Sequence, residues 1–154
     1  MAALVGIVYG SPSDKDKMGH AGATLKRFGV EYEMEAMSAH RSPERVREYA
    51  SNAENRGIKV LIAGAGRAAH LAGVVAAHTA LPVIGVPLSG GLMDGIDALL
   101  STVQMPAGVP VATVGVDGAA NAGVLAVQIL ASGDDELRKR VTEFKEQLAQ
   151  GLRL

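Results

Sequence analysis

The segment Ser38-Ala39-His40-Arg41 carries the residue types best suited to chemistry in this chain. An imidazole transfers protons near neutral pH, and a guanidinium holds an anion through paired hydrogen bonds. Because Ser42-Pro43 follows as a helix-start pattern, His40 and Arg41 lie where a strand gives way to a helix, and we expect them to serve a site. Ser38 lacks the G-x-S-x-G context of a serine nucleophile, so we assign it to the pocket wall.

Two glycine-containing turns also follow apolar stretches, at Gly10-Ser11-Pro12-Ser13-Asp14 and at Gly64-Ala65-Gly66. The first has hydroxyls and free backbone N–H groups that suit a phosphate at a helix start, although Ser13 or Asp14 could instead only cap the helix. The second fits G-x-G-x-x-A, but a dinucleotide site needs an acidic residue about twenty positions later, where Val86-Pro87 stands. We therefore expect its glycines to let the backbone approach a small ligand.

His70 follows the second turn, at the start of the next predicted helix. It is either a neutral hydrogen-bond donor in the pocket or a buried structural histidine, and the sequence leaves both open. No H-E-x-x-H or comparable pair of ligands occurs, so we expect no metal site.

The elements that must position these turns follow from the hydrophobic pattern. Predicted strands are Leu4 to Tyr9, Glu31 to Met37, Val60 to Ala63, Leu81 to Val86 and Val111 to Val116. Predicted helices are Asp16 to Phe28, Pro43 to Asn55, Ala68 to Thr79, Gly95 to Val103, Ala119 to Ala131 and Asp134 to Leu152. Such alternation implies a parallel sheet covered on both faces, with the site beyond the carboxyl ends of the strands, where the three turns converge.

The last predicted helix has no strand after it. Its apolar residues recur at spacings of three and four, at Leu137, Val141, Phe144 and Leu148. We therefore expect this helix, about 134–152, to pack on a neighbouring subunit. The loop Pro87 to Gly95 is either a lid over the site or a simple connection.

Composition limits the class of protein. The 154 residues predict a single domain, and a net charge of −1 without a clustered basic face argues against nucleic-acid binding. The absence of Cys suits a reducing cytoplasm, and no basic, apolar leader or 18-residue apolar span occurs, so we expect a cytoplasmic protein with no membrane segment. Abundant Gly and Ala with few aromatics allow close packing, and we expect a homo-oligomer to supply further burial.

From Val5 to Ala131 the chain resembles the phosphoribosylaminoimidazole carboxylase catalytic subunit family of purine biosynthesis. The resemblance is carried by Gly10-Ser11 with Ser13-Asp14, Ser38 to Arg41 with Pro43, Ala63 to Gly66 with Ala68 to Leu71, Ser101 with Val103 to Pro106, Gly108 with Pro110 to Thr113, and Asn121-Ala122. It implies a three-layer α/β/α sandwich with a flavodoxin-like, five-stranded parallel sheet and an extra C-terminal helix. It also implies an octamer that uses neither metal nor cofactor.

The same resemblance implies roles for the site residues. His40 would be the general acid and base, and Ser11, Asp14 and Arg41 would bind a ribotide, with Ser13 near its phosphate. Residues of the later turn, Gly64, Ala65, Gly66, His70 and Leu71, would line the pocket for CO2 and carboxylate. The implied reaction is that of the N5-carboxyaminoimidazole ribonucleotide mutases, in which the substrate loses CO2 and recaptures it at C4.

Within the family a second class carboxylates aminoimidazole ribonucleotide directly with CO2. Arg67 and Ala72 stand where the mutases usually have Gly and Pro, and Met18-Gly19-His20 is similar to the second class. His70, Arg41 and Gln104-Met105-Pro106 favour the mutases. A non-catalytic flavodoxin-like ligand-binding domain and a dinucleotide-binding enzyme are the alternatives outside the family.

Overall fold

The computed structural model describes residues 2–154, in which parallel strands alternate with helices. The strands are β1 (Val5–Tyr9), β2 (Tyr32–Ala36), β3 (Val60–Gly66), β4 (Val83–Leu88) and β5 (Ala112–Thr113). The α-helices are α1 (Lys15–Arg27), α2 (Pro43–Asn52), α3 (Leu71–Ala77), α4 (Ile96–Val103), α5 (Ala119–Ala131) and α6 (Asp135–Ala149). The strand order β2-β1-β3-β4-β5 with every pair parallel is the flavodoxin-like order, which confirms the predicted fold class.

The two faces of the sheet are buried under separate layers of helices. Val5, Ile7 and Tyr9 of β1 point to the layer formed by α1, α5 and α6, whereas Val8 points to the layer that contains α2 and α3. Because both faces are covered, β1, the first half of β3 and all of β4 are buried and read as apolar runs rather than as alternating strands. Only β2, at the edge, alternates in sequence.

The strand order reverses at β1, which has β2 on one side and β3 on the other. The carboxyl ends of β1 and β3 therefore diverge into loops on opposite faces and leave a crevice between them. This crevice is where the fold brings the three turns together.

Small residues allow α1 and α5 to pack closely. A Cβ added at Gly123 of α5 would lie 2.8 Å from the carbonyl oxygen of Ala21 and 2.8 Å from Cβ of Thr24, so only glycine fits there. This contact explains part of the high glycine content, which lets backbones approach in the absence of large aromatic anchors.

The apolar stripe of α6 is used within the chain itself. Leu137 and Phe144 are buried in the same core as α1 and α5, and the rings of Phe144 and Phe28 meet edge to face with centroids 5.1 Å apart. Arg140 fixes the helix further because its Nη1 donates a hydrogen bond to the carbonyl oxygen of Phe28 at 2.9 Å. A neighbouring subunit is therefore not needed to bury this stripe. Contact of α6 with a neighbouring subunit stays a prediction.

Element boundaries differ from the sequence prediction mainly at β5. The regular strand covers Ala112 and Thr113, not Val111 to Val116, although the N–H of Val114 still donates to the carbonyl oxygen of Gly85 at 3.1 Å. Asp117 ends the segment with a left-handed backbone, φ of 57°, and its N–H donates to the carbonyl oxygen of Pro87 at 2.9 Å. Within residues 2–154, every helix is too short or too polar to span a membrane.

Candidate active site

A cleft of about 530 Å³ opens at the carboxyl ends of the strands. Its walls come from the turns after β1, β2 and β3 and from the start of the loop after β4. The predicted site residues that line it are Ser11, Ser13, Asp14, Ser38, His40, Arg41, Ala65, Gly66, His70 and Leu71. The convergence of three separate turns on one pocket, expected from the parallel topology, is thus found.

Gly64 is the predicted site residue that does not line the cleft. It is buried in β3, where its carbonyl oxygen accepts a hydrogen bond from the N–H of Gly10 at 3.0 Å. A Cβ at this position would lie 2.2 Å from the sulfur of Met18 on α1. The glycine is therefore required for packing of α1 on the sheet, and it lies behind the cleft wall rather than in it.

The polar side chains of the turn after β1 line the cleft and do not cap the helix that follows. Ser11 Oγ and Ser13 Oγ are hydrogen-bonded at 3.0 Å, and Asp14 precedes α1 without capping it through its carboxylate. Partial burial raises the pKa of the Asp14 carboxyl, and the nearby Asp117 carboxylate adds to the rise, whereas the Ser11 backbone and the Lys17 charge oppose it. Because no N–H of α1 bonds to it, the Asp14 side chain remains open to the cleft that it lines.

Hydrogen bonds to Ser38 shape the turn after β2. Its hydroxyl accepts from the backbone N–H of Arg41 at 3.2 Å, and its carbonyl oxygen accepts from the N–H of Ser42 at 2.8 Å and from the Ser42 hydroxyl at 3.1 Å. This network holds the backbone of His40 and Arg41 in a tight turn at the cleft edge. Ser38 is therefore a structural part of the pocket wall, as predicted, and the Ser42 hydroxyl bonds back to Ser38 instead of capping α2.

The rings of His40 and His70 meet inside the cleft. Nε2 of His40 lies 2.7 Å from Nδ1 of His70, and the two rings are perpendicular with centroids 4.8 Å apart. Such a contact needs one N–H donor and one lone pair, so each ring restricts the tautomer of the other. Nδ1 of His40 is the ring nitrogen that this contact leaves free.

The cleft wall at β4 rests on a cluster that the sequence analysis missed. Lys17 Nζ donates to Ser89 Oγ at 2.6 Å and lies 3.3 Å from the Asp117 carboxylate. Asp117 in turn accepts from the Ser89 N–H at 2.9 Å and from the Ser89 hydroxyl. We call Lys17, Ser89 and Asp117 the clasp, because it joins α1, the end of β4 and the turn before α5.

Hydrogen bonding within the clasp lowers the pKa of Asp117. Partial burial acts in the opposite direction, but it is outweighed by the two hydrogen bonds from Ser89 and by the Lys17 charge. The only sequence signal for the clasp was indirect, since Ser89 follows a strand and Asp117-Gly118 is a turn dipeptide.

The loop after β4 is tied down beyond the clasp as well. The N–H of Gly90 donates to Asp94 Oδ1 at 3.1 Å, and the N–H of Leu92 donates to Asp97 Oδ2 at 2.9 Å. These bonds favour a fixed wall over a lid. In the described residues 2–154, no group of three or more His, Cys, Asp or Glu side chains is arranged to hold a metal ion.

Comparison with known proteins adds a family to this geometry. The family model described as AIR carboxylase matches residues 4–151. The chain is 54% identical over 144 residues to the N5-carboxyaminoimidazole ribonucleotide mutase of Pyrococcus abyssi, covering 94% of this chain and 83% of that protein. It is 53% identical over 152 residues to the Bacillus subtilis protein of the same name, covering 97% and 94%.

A solved structure has the same fold. The crystal structure of Treponema denticola PurE superposes with a TM-score of 0.88 at 32% sequence identity, covering 96% of this chain and 92% of that one. The similarity therefore includes the whole arrangement of sheet and helices that forms the cleft.

Proposed function

The chain belongs to the AIR carboxylase family, and we propose that it converts N5-carboxyaminoimidazole ribonucleotide to 4-carboxy-5-aminoimidazole ribonucleotide in purine biosynthesis. The choice of reaction is supported by the names of relatives that are 53–54% identical over nearly the whole chain. The observation that carries the chemistry is the His40–His70 contact of 2.7 Å in the cleft. It supplies a proton-transfer group with one free ring nitrogen beside groups suited to a ribotide.

The ribotide would enter with its phosphate toward the turn after β1. Ser11 and Ser13 offer hydroxyls there, and Arg41 offers a guanidinium from the neighbouring turn. The uncapped carboxylate of Asp14 suits the ribose hydroxyls, since it accepts hydrogen bonds and has no helix N–H as a partner. In this orientation the imidazole ring of the substrate would face the histidine pair.

The first chemical step breaks the carbamate. His40 in its protonated form donates the proton on Nδ1 to the exocyclic nitrogen as the N–C bond breaks, and the bond electrons remain on that nitrogen. The products are CO2, aminoimidazole ribonucleotide and a neutral His40. In this scheme Nε2 of His40 is the donor in the hydrogen bond to Nδ1 of His70, so it keeps its proton throughout.

The second step forms the new carbon–carbon bond. C4 of aminoimidazole ribonucleotide attacks the retained CO2, and the freed Nδ1 of His40 then removes the proton from C4, which restores the aromatic ring. The cleft contributes by keeping CO2 beside C4 at high effective concentration. The proton is returned to His40, so the reaction is an isomerisation that consumes no other reagent.

We also propose that the chain assembles as a homo-oligomer, and that the octamer implied by the resemblance is this assembly. An apolar stripe supports self-association, because large apolar side chains lie exposed at spacings of three and four from the loop after β4 into α4. Its members are Met93, Ile96, Leu100 and Val103, with 76%, 38%, 53% and 43% of their surfaces exposed. Continuous exposed apolar surface of this kind marks a protein interface.

Two substrates test the proposed reaction. The carbamate ribotide, made in place, should be converted to the C4 carboxylate much faster than aminoimidazole ribonucleotide with bicarbonate. His40→Asn should lower kcat by about 100- to 10,000-fold, the usual contribution of a positioned acid and base. If aminoimidazole ribonucleotide with bicarbonate is used faster, the reaction is direct carboxylation. If neither substrate is turned over, the chain is a ligand-binding domain and not an enzyme of this reaction.

A further inference from the structure

Arg41 and Arg67 stand apart from the other arginines of this chain. Among residues 2–154, each of the others hydrogen-bonds or ion-pairs with a protein group, as Arg45 does with Glu35 at 2.8 Å and Arg140 does with a backbone carbonyl. The guanidinium groups of Arg41 and Arg67 have no such partner in the described residues, and both residues line the cleft. Two cations without protein partners in one pocket indicate a ligand with two anionic groups.

Arg67 is also held in an unusual backbone conformation. Its φ is 55°, in the left-handed region that glycine adopts freely and that costs other residues conformational energy. The position follows Gly66, so a third glycine would have fitted the turn without strain. Residues held in such conformations cluster at active sites and ligand clamps, which points to a role for the Arg67 side chain in this cleft.

The position of Arg67 indicates that it contacts a different anionic group of the ligand from the one that Arg41 contacts. Arg67 lies on the turn that carries His70, whose ring contacts His40 at 2.7 Å. The phosphate is accounted for by the serines after β1 and by Arg41. What remains at the histidine pair is the carboxylate that moves from nitrogen to C4, and a guanidinium binds a carboxylate through two parallel hydrogen bonds.

We propose that Arg67 binds the migrating carboxylate, both as the carbamate of the substrate and as the C4 carboxylate of the product. This inference rests on the proposed function, because the carboxylated ribotide is the substrate of the proposed reaction. Arg67 would thereby discriminate carboxylated ribotides from aminoimidazole ribonucleotide. Between the two steps it would also keep a cation beside the CO2 from which a carboxylate forms again.

Calorimetric binding of two ribotides that differ only in the carboxylate tests this role. Arg67→Gly and Arg67→Gln should weaken 4-carboxy-5-aminoimidazole ribonucleotide about tenfold or more, while affinity for aminoimidazole ribonucleotide changes less than about twofold. Arg67→Lys keeps the charge but not the paired geometry, so its loss should be intermediate. Arg67→Gly removes the backbone strain and should melt no lower than the wild-type protein, which excludes misfolding as the cause.

Arg47→Gln is the matched control for net charge. Arg47 pairs with Glu44 on exposed α2, outside the cleft, and its loss should leave both affinities unchanged. Equal losses for the two ribotides in the Arg67 variants would overturn the proposal, since they would place Arg67 on the phosphate. Unchanged binding would also overturn it, whereas a wild-type protein that binds neither ribotide would refute the proposed function itself.

Discussion

Asp14 occupies the position before α1 where a carboxylate ordinarily caps the helix, yet its side chain accepts no hydrogen bond from α1. The carboxylate is instead partly buried at the cleft, and burial raises its pKa. The reason that it does not cap α1 is that Pro12–Asp14 form a 3-10 turn that runs directly into α1, so the backbone of Asp14 is itself helical and its carboxylate is left at the cleft.

Asp14→Asn should therefore stabilise the free protein while weakening ribotide binding. A raised pKa means that the folded state binds the proton more tightly, so the wild-type stability falls as pH rises from the ordinary value of 3.8 through the folded pKa. The melting temperature of the variant should exceed that of the wild type at pH 7, and the difference should vanish below about pH 3.8. A variant that melts lower at neutral pH would show that the carboxylate stabilises the fold.

His70 should act on the reaction through His40. His70→Ala removes the partner of His40 Nε2, so the ring is free to rotate and to exchange tautomers, and kcat should fall about ten- to a hundredfold with KM little changed. His70→Asn places an amide group about where Nδ1 lies and should recover part of the rate. Steady-state kinetics of the two variants decides the matter, because a KM effect without a kcat effect would make His70 a substrate-binding residue only.

The cleft is built partly from turns that each follow one strand and partly from contacts between residues far apart in the sequence. Only the first kind could be predicted from the sequence. The turns after β1, β2 and β3 were predictable because each residue follows its own strand, and parallel topology brings the carboxyl ends together. The clasp was not, since Lys17, Ser89 and Asp117 become neighbours only through the packing of three elements. The packing role of Gly64 was not predictable for a related reason, because sequence alone cannot show which face of β3 meets Met18.

Loss of the clasp should loosen the β4 wall of the cleft without unfolding the protein. Asp117→Asn is the suitable change, because asparagine tolerates the left-handed backbone while the charge is removed. The ion pair is about 40% exposed, so its loss should cost no more than about 1 kcal/mol. Hydrogen exchange of the Ser89 to Gly95 amides should nevertheless become faster, and KM for the ribotide should rise.

The pH dependence of this variant has the opposite sign to that of Asp14→Asn. The pKa of Asp117 is lowered in the folded state, so its contribution to stability is present above 3.8 and is lost as pH falls through the folded value. The melting temperatures of the variant and the wild type should therefore converge in acid. Arg47→Gln breaks another exposed ion pair and is the control, since it should leave exchange in the β4 loop unchanged.

At the scale of the whole molecule, the loop after β4 connects the cleft to the apolar stripe. Ser89 and Gly90 line the cleft, and within a few residues the same loop exposes Leu92 and Met93, at 71% and 76% of their surfaces. Gly90 and Gly95 have φ of 107° and 115°, values that glycine adopts readily, and these two residues let the loop pass from the cleft to the stripe. Burial of the stripe in an interface would therefore steady the same loop that forms one wall of the site.

Leu100→Glu should separate the oligomer and reduce activity together. A carboxylate in the middle of the stripe would have to be buried without a partner, which is costly enough to disrupt an interface. Light scattering should show a smaller assembly than the wild type, and kcat/KM should fall although Leu100 does not line the cleft. Ser51→Glu adds the same charge on exposed α2 and should change neither the mass nor the rate. A variant that dissociates with full activity would uncouple the site from assembly, and one that keeps the wild-type mass would place the interface elsewhere.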